Sequence, residues 1–290
     1  DTGQTVAAHE IGQLTVTAPA NSNAPLPDGF APIDITSGGL TLLGSQLDRA
    51  QARPGDPLRL ATLWQIGEAT PEATSFTLEL ISPDGTTAVR QEVDIIENYP
   101  PEKWQPNDRL RRDLLLRLSA DLPDGTHTWQ ANWGETTADL GQIQINAPER
   151  TFTPPPLDIT LGETLGDTAT LLGLTETPQP TAENTLPVSL VWRGENTPEV
   201  SYRVFVQLLN EAGQVVAQSD GEPAQWSRPT TGWLTGEIIQ DDHTLTLPPE
   251  LPSGPYTLIA GLYDPETGTR LQTPAPPRDF ILLYNFQLLD

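Results

Sequence analysis

Cysteine is absent from all 290 residues. That excludes disulfides, thiolate metal sites and a cysteine nucleophile, and it leaves the compartment open. Methionine is absent too, even at position 1, so we expect a processed or excised piece of a longer protein. Lys103 is the sole lysine among 15 Lys and Arg residues, a skew without evident functional meaning. Only three histidines occur, His9, His127 and His243, none close in sequence to another. Zinc usually takes closely spaced His and Cys pairs, so no zinc site is expected. No apolar run approaches 18 residues and no signal peptide is present, so nothing in this stretch is expected to span a membrane.

Positive charge is scarce. The formal charge is −24 and the pI about 4.2. Such a surface repels phosphate backbones and anionic lipid headgroups, which argues against nucleic-acid binding. Solubility is the ordinary reading of the 39 acids. They are dispersed, and no calcium-loop pattern of alternating Asp and Asn followed by Gly is present. No Gly-x-Ser-x-Gly elbow, Gly-rich phosphate loop or His-Glu-x-x-His is found either. We therefore expect no enzyme and no cofactor.

Proline and glycine, by contrast, are abundant, at 30 and 23 residues. Both break helix interiors. They suit an all-β chain with many turns.

The chain repeats itself at an offset of about 129 residues. Gly12-Gln13-Leu14-Thr15-Val16-Thr17-Ala18-Pro19 returns as Gly141-Gln142-Ile143-Gln144-Ile145-Asn146-Ala147-Pro148. Thr41-Leu42-Leu43-Gly44 returns as Thr170-Leu171-Leu172-Gly173, Trp104 as Trp233, and Trp64 as Trp192 one residue out of step. Length alone suggests two domains. We read residues 1–32 as an N-terminal strand and linker, 33–147 as one domain, 148–156 as a Pro-rich linker and 157–290 as a second domain. Pro154-Pro155-Pro156 favours a stiff extended segment.

Within each unit, short alternating segments are separated by turn signals such as Pro83-Asp84-Gly85 and Glu211-Ala212-Gly213. Tyr202 to Leu209 carries large apolar residues on both faces, which predicts a strand covered on both sides. Roughly seven strands per unit point to tandem β-sandwiches of the immunoglobulin or fibronectin III kind. Only short helical pieces fit, such as Asp108 to Leu115. Leu14 and Val16 belong to a strand that has no sandwich of its own here, so we expect it to dock on a sheet edge in this chain or another.

Seven tryptophans sort by the repeat. Trp129 and Trp133 align with Leu258 and Leu262, which predicts core positions. Trp64 and Trp192 close matching strands and are also expected inside. Trp104, Trp226 and Trp233 fall in loops and are the candidates for ligand or partner contact. Tyr256, after the Gly254-Pro255 turn, resembles a tyrosine corner; His127 stands at its place in the first unit.

The second unit carries Val204-Phe205-Val206-Gln207-Leu208-Leu209, Arg228-Pro229-Thr230-Thr231-Gly232-Trp233, Leu251-Pro252-Ser253-Gly254-Pro255-Tyr256 and Gly261-Leu262-Tyr263-Asp264-Pro265-Glu266-Thr267-Gly268. This set is similar to soluble modules at the C-terminal end of bacterial multi-pass membrane glycosyltransferases of the protein-mannosyltransferase type. The resemblance implies a non-catalytic, extracytoplasmic accessory region at the cell surface, whose partner is a glycan or a protein. A surface or filament subunit built by strand donation, and hence a homo-oligomer, is a second reading. A carbohydrate-binding module is a third.

Overall fold

The computed structural model describes residues 24–288. The first unit comprises, in chain order, β1 (Ala31–Ser37), β2 (Leu40–Leu47), β3 (Gln51–Ala52), β4 (Pro57–Ile66), β5 (Ser75–Ile81), β6 (Thr87–Asp94), β7 (Arg109–Arg117), β8 (Gly125–Trp133) and β9 (Thr136–Ile145). The second comprises β10 (Ile159–Leu165), β11 (Ala169–Leu174), β12 (Thr185–Gly194), β13 (Arg203–Leu209), β14 (Val215–Gly221), β15 (Ile238–Thr246), β16 (Gly254–Tyr263) and β17 (Ile281–Leu288).

In the first unit a sheet ordered β1-β2-β4-β7 faces one ordered β3-β9-β8-β5-β6. In the second, β10-β11-β12-β15 faces β14-β13-β16-β17. Set aside β1 and the two-residue β3, and three strands face four, as in a fibronectin III domain. The chain is therefore two β-sandwiches in tandem. Segment Asp108 to Leu115, which allowed a short helix, is strand β7 instead. Its Leu110 and Leu114 fill the core while Arg109 to Arg117 pair along β4. Inter-strand pairing and period-two burial overrode local propensity there.

Each core lies between its two sheets. Trp64, Trp129, Trp133 and Trp192 are all buried. Trp64 meets Trp133 edge to face at 5.0 Å and Phe76 at 5.2 Å, the spacing favoured by ring quadrupoles. Both units also cover an outer sheet face. In the first, the chain begins packing before β1: Phe30 and the half-buried Leu26 seal Ala61 and Leu63 on the back of β4, within the stretch expected to be linker.

In the second unit the covering comes from an insertion. Gly125 pairs with Ile145 in the first unit and Gly254 with Leu288 in the second. The offset thus rises from 129 (254 − 125) at the start of the hairpin to 143 (288 − 145) at its end. The difference is the long connection 264–280. It folds back so that the Arg270 guanidinium sits 4.0 Å from the centroid of Phe205 and donates to Gln207 Oε1 at 3.1 Å. Phe205 lies on bare backbone, since a Cβ at Gly261 would stand 2.4 Å from its Cζ. That accounts for the two apolar faces read in Tyr202 to Leu209.

The Tyr256 hydroxyl donates to Pro252 O at 2.8 Å, closing the corner the sequence suggested. His127, buried at the matching place, keeps Nδ1 3.2 Å from Gly125 O.

Candidate interaction site at the domain junction

The linker between the sandwiches is docked. Thr151 O accepts from Ile238 N–H at 2.8 Å at the start of β15. Arg150 reaches three ways: to the Glu237 carboxylate, to Gly232 O at 3.1 Å and to Ala120 O of the first unit. Glu237 is fully buried, accepts from Arg228 as well, and takes the Leu234 N–H at 3.0 Å. Two guanidinium groups and a backbone donor thus compensate a carboxylate removed from water, as burial of charge demands.

Beside this clamp the two backbones touch. A Cβ at Gly232 would lie 2.5 Å from Pro54 O, and one at Gly55 would lie 2.4 Å from Thr231 O. Gly55 also has φ +85°, which favours glycine on its own account. Replacing Gly232 with valine is expected to force the sandwiches apart and to cost about 1–3 kcal/mol through overpacking. Calorimetry should then resolve two unfolding transitions where a single one is expected for the parent. A single unchanged transition would mean the contact does not couple the units.

The three loop tryptophans divide. Trp104 and Trp233 are buried, each donating its indole N–H to the carbonyl five residues upstream: Tyr99 O at 3.0 Å and Arg228 O at 2.9 Å. They plug the sandwich ends, so their ring faces are closed to a ligand. Trp226 is 52% exposed. It follows Ala224 and Gln225 in a run of three residues with φ +52°, +52° and +68°. Such left-handed geometry costs roughly 1–2 kcal/mol per non-glycine residue. The turn is closed by Trp226 N–H to Glu222 O at 3.1 Å, and its carbonyl accepts from Arg53 of the first unit at 2.6 Å. The Arg203 guanidinium lies 5.0 Å from the indole centroid, a cation–π contact. Gly221 lies against the ring, where a Cβ would sit 3.2 Å from Nε1. Gln225→Gly is expected to be neutral or stabilising by up to about 1 kcal/mol, because glycine removes the strain. A clear drop in the urea midpoint would show the turn is not strained.

A cleft of about 530 Å³ opens between the units; Arg53, which bonds the Trp226 carbonyl, lines it, and the indole does not. Arg49, Arg53 and Arg117 line one side, and Glu199, Glu222 and Glu266 the other. The arginines are engaged: Arg49 with Asp48 at 3.1 Å, Arg53 with Asp56 at 3.2 Å, Arg117 with Gly55 O at 3.0 Å. The walls therefore offer planar, oriented donors and acceptors; two of the three arginines are paired with aspartates, and Arg117 meets a neutral carbonyl. Leu14 and Val16, the strand-donation candidates, lie outside the described residues. Among the described residues no three His, Cys, Asp or Glu side chains gather as metal ligands. Sequence reasoning missed Arg53, Arg150, Arg203 and Glu237, because the contacts Arg53–Trp226, Arg150–Glu237 and Arg203–Trp226 join residues distant in sequence. The one local hint was Gly232, which stands where the first unit has Lys103.

Asp48, Asp84, Glu97, Glu195 and Asp264 are held below their ordinary values. Asp264, on the cleft, is lowered by the Glu266 N–H and the Thr267 hydroxyl. Asp84 is lowered by the Thr86 N–H and hydroxyl, and Glu97 by hydrogen bonding to Arg112. A folded-state value below the unfolded one gives stability that is complete above about pH 4 and is lost as pH falls through the folded values. The urea midpoint should fall on acidification below pH 4, and less steeply in Asp84→Asn. Identical slopes in the two proteins would remove Asp84 from the explanation.

No protein-family model matches the chain, and no curated protein matches it. Among solved structures, trypsin-activated α2-macroglobulin from Escherichia coli is 15% identical, over 88% of this chain and 16% of that one, with a TM-score of 0.28. Methylamine-reacted Salmonella α2-macroglobulin is 15% identical, over 89% and 16%, with a TM-score of 0.26. A DUF4785 family protein from Legionella pneumophila is 12% identical, over 86% and 56%, with a TM-score of 0.22. This chain spans a small part of each macroglobulin, and likeness at this level says nothing about binding or chemistry.

Proposed function

We propose that the chain is a non-catalytic, extracytoplasmic interaction region, the accessory part of a membrane glycosyltransferase, and that its domain junction receives a neutral glycan. The carrying observation is Trp226: of seven tryptophans it alone is exposed, and a strained turn at the junction holds it there. Strain kept at a surface position is a reason to suspect function. An exposed indole suits the apolar face of a sugar ring, and the arginine and glutamate walls suit its hydroxyls. With Arg49 and Arg53 already paired with aspartates and a chain charge of −24, an anionic glycan is the poorer fit. The glycosyltransferase context comes from the resemblance of residues 204–268. Among the described residues no helix is long and apolar enough to cross a membrane, so this stretch supplies no helical anchor.

Affinity electrophoresis through gels containing mannan tests the binding reading. The parent protein should be retarded, and Trp226→Ala should run freely while keeping its melting temperature. Equal mobility of the two proteins, with or without mannan, would overturn it.

A further inference from the structure

Three polar side chains bridge the two sheets of the second sandwich. Ser219 points inward from β14, on the same face as buried Ala217 and Gly221. Asp241 and His243 point inward from β15 and are 1% and 7% exposed. Ser219 Oγ lies 3.0 Å from His243 Nδ1, and His243 Nε2 lies 3.0 Å from Asp241 Oδ2. The set Ser, His, Asp suggests a nucleophile and its base. The ring is turned the other way from a serine-protease triad, where Nε2 faces the serine and Nδ1 the carboxylate. The serine moreover faces the space between the sheets. The relay leads elsewhere. Asp241 Oδ1 accepts the Ala224 N–H at 2.8 Å, and Ala224 is the first of the three left-handed residues that end at Trp226.

The first sandwich supplies an internal comparison. Its β7 occupies the place of β15, and there Arg112 and Leu114 stand at the positions of Asp241 and His243. Arg112 pairs instead with Glu97 at 2.5 Å. No run of left-handed residues occurs in the corresponding connection, where Asn98 alone has a positive φ before the buried Trp104. The relay and the left-handed turn occur together in one unit, and both are absent from the other.

We propose that Asp241 is a positioning residue for Trp226. Its carboxylate fixes the first amide of the strained turn, His243 and Ser219 fix the carboxylate, and the buried seam between the sheets thereby sets the pose of the exposed indole. The proposal gives a role within the glycan-binding reading above, but its test does not depend on any ligand. Six of the seven tryptophans are buried, so acrylamide quenching reports chiefly on Trp226; Trp226→Phe assigns that component. Hydrogen exchange followed by mass spectrometry reads the 222–228 turn directly.

In Asp241→Ala the turn amides should exchange about tenfold faster, in line with loss of a hydrogen bond to a charged group, and the Trp226 quenching constant should change. Amides of β12 and β16 should stay protected. Asp241→Asn retains an acceptor for Ala224 and should rescue most of the protection. His243→Leu, which installs the residue of the first unit, should speed the turn a few-fold and serves if Asp241→Ala does not fold. Unchanged turn exchange and unchanged quenching in the folded variants would overturn the proposal. So would a uniform loss of protection across β12 and β16 with no excess at the turn, since that is the mark of a purely structural seam. Mannan retardation is a separate readout. Its absence in the parent protein would sink the binding reading and leave the positioning role of Asp241 standing.

Discussion

Trp64→Ala is expected to cost about 3–5 kcal/mol, and Trp192→Ala a similar or smaller amount. Both side chains are fully buried and occupy the same place in their sandwiches. They differ in their polar edge. Trp64 Nε1 donates to Thr62 Oγ1 at 2.9 Å, whereas Trp192 Nε1 has no hydrogen-bond partner. Alanine at 64 therefore leaves a cavity and an orphaned hydroxyl, while alanine at 192 leaves a cavity and removes an unsatisfied donor. Phenylalanine sharpens the contrast, because it keeps much of the volume and deletes the N–H in each case. Trp192→Phe should be the milder of the two by about 1 kcal/mol, the ordinary worth of a hydrogen bond. Urea unfolding of each isolated variant, followed by circular dichroism, gives the comparison. A loss below about 1 kcal/mol for both alanine variants would contradict the packing described for both cores.

The second large effect is expected at Glu237. Removing its carboxylate in Glu237→Ala leaves Arg150 and Arg228 facing each other across a dry site. Breaking a buried pair in this way typically costs about 3–5 kcal/mol, more than the pair itself contributes, because an uncompensated charge stays behind. Glu237→Gln keeps an acceptor for Leu234 and should lose less. Arg150→Met removes one of two partners and its hold on Ala120 O, so its effect should appear mostly in the joint. Small-angle scattering should show a broader distribution of inter-domain distances in Arg150→Met than in the parent. If Glu237→Ala unfolds at the parental urea concentration, the two arginines find water and the site is not dry.

Much of this architecture could be read from the residues. The repeat located the two units, and the swap of Trp129 and Trp133 for leucine marked them as core positions. The Gly254-Pro255-Tyr256 turn announced its corner. What stayed hidden was of two kinds. Trp104 and Trp233 lie outside any strand, and sequence pattern equates loop with surface; their burial depends on carbonyls at Tyr99 and Arg228 that only the folded turn brings under the indole. Arg150 and Glu237 are 87 residues apart and leave no spacing signal. The same holds for Asp241, whose role depends on a turn of left-handed residues that no propensity would assign to Ala-Gln-Trp.

The joint glycines decide how far this arrangement can be extended. In the first sandwich the position of Gly232 is taken by Lys103, and in the second the position of Gly55 is taken by Glu183; both are exposed. At these two points the facing carbonyls of Pro54 and Thr231 leave no room for a Cβ. A further copy of the chain set end to end would meet Lys103 and Glu183 where this junction has Gly232 and Gly55, and the same backbone contact would not form.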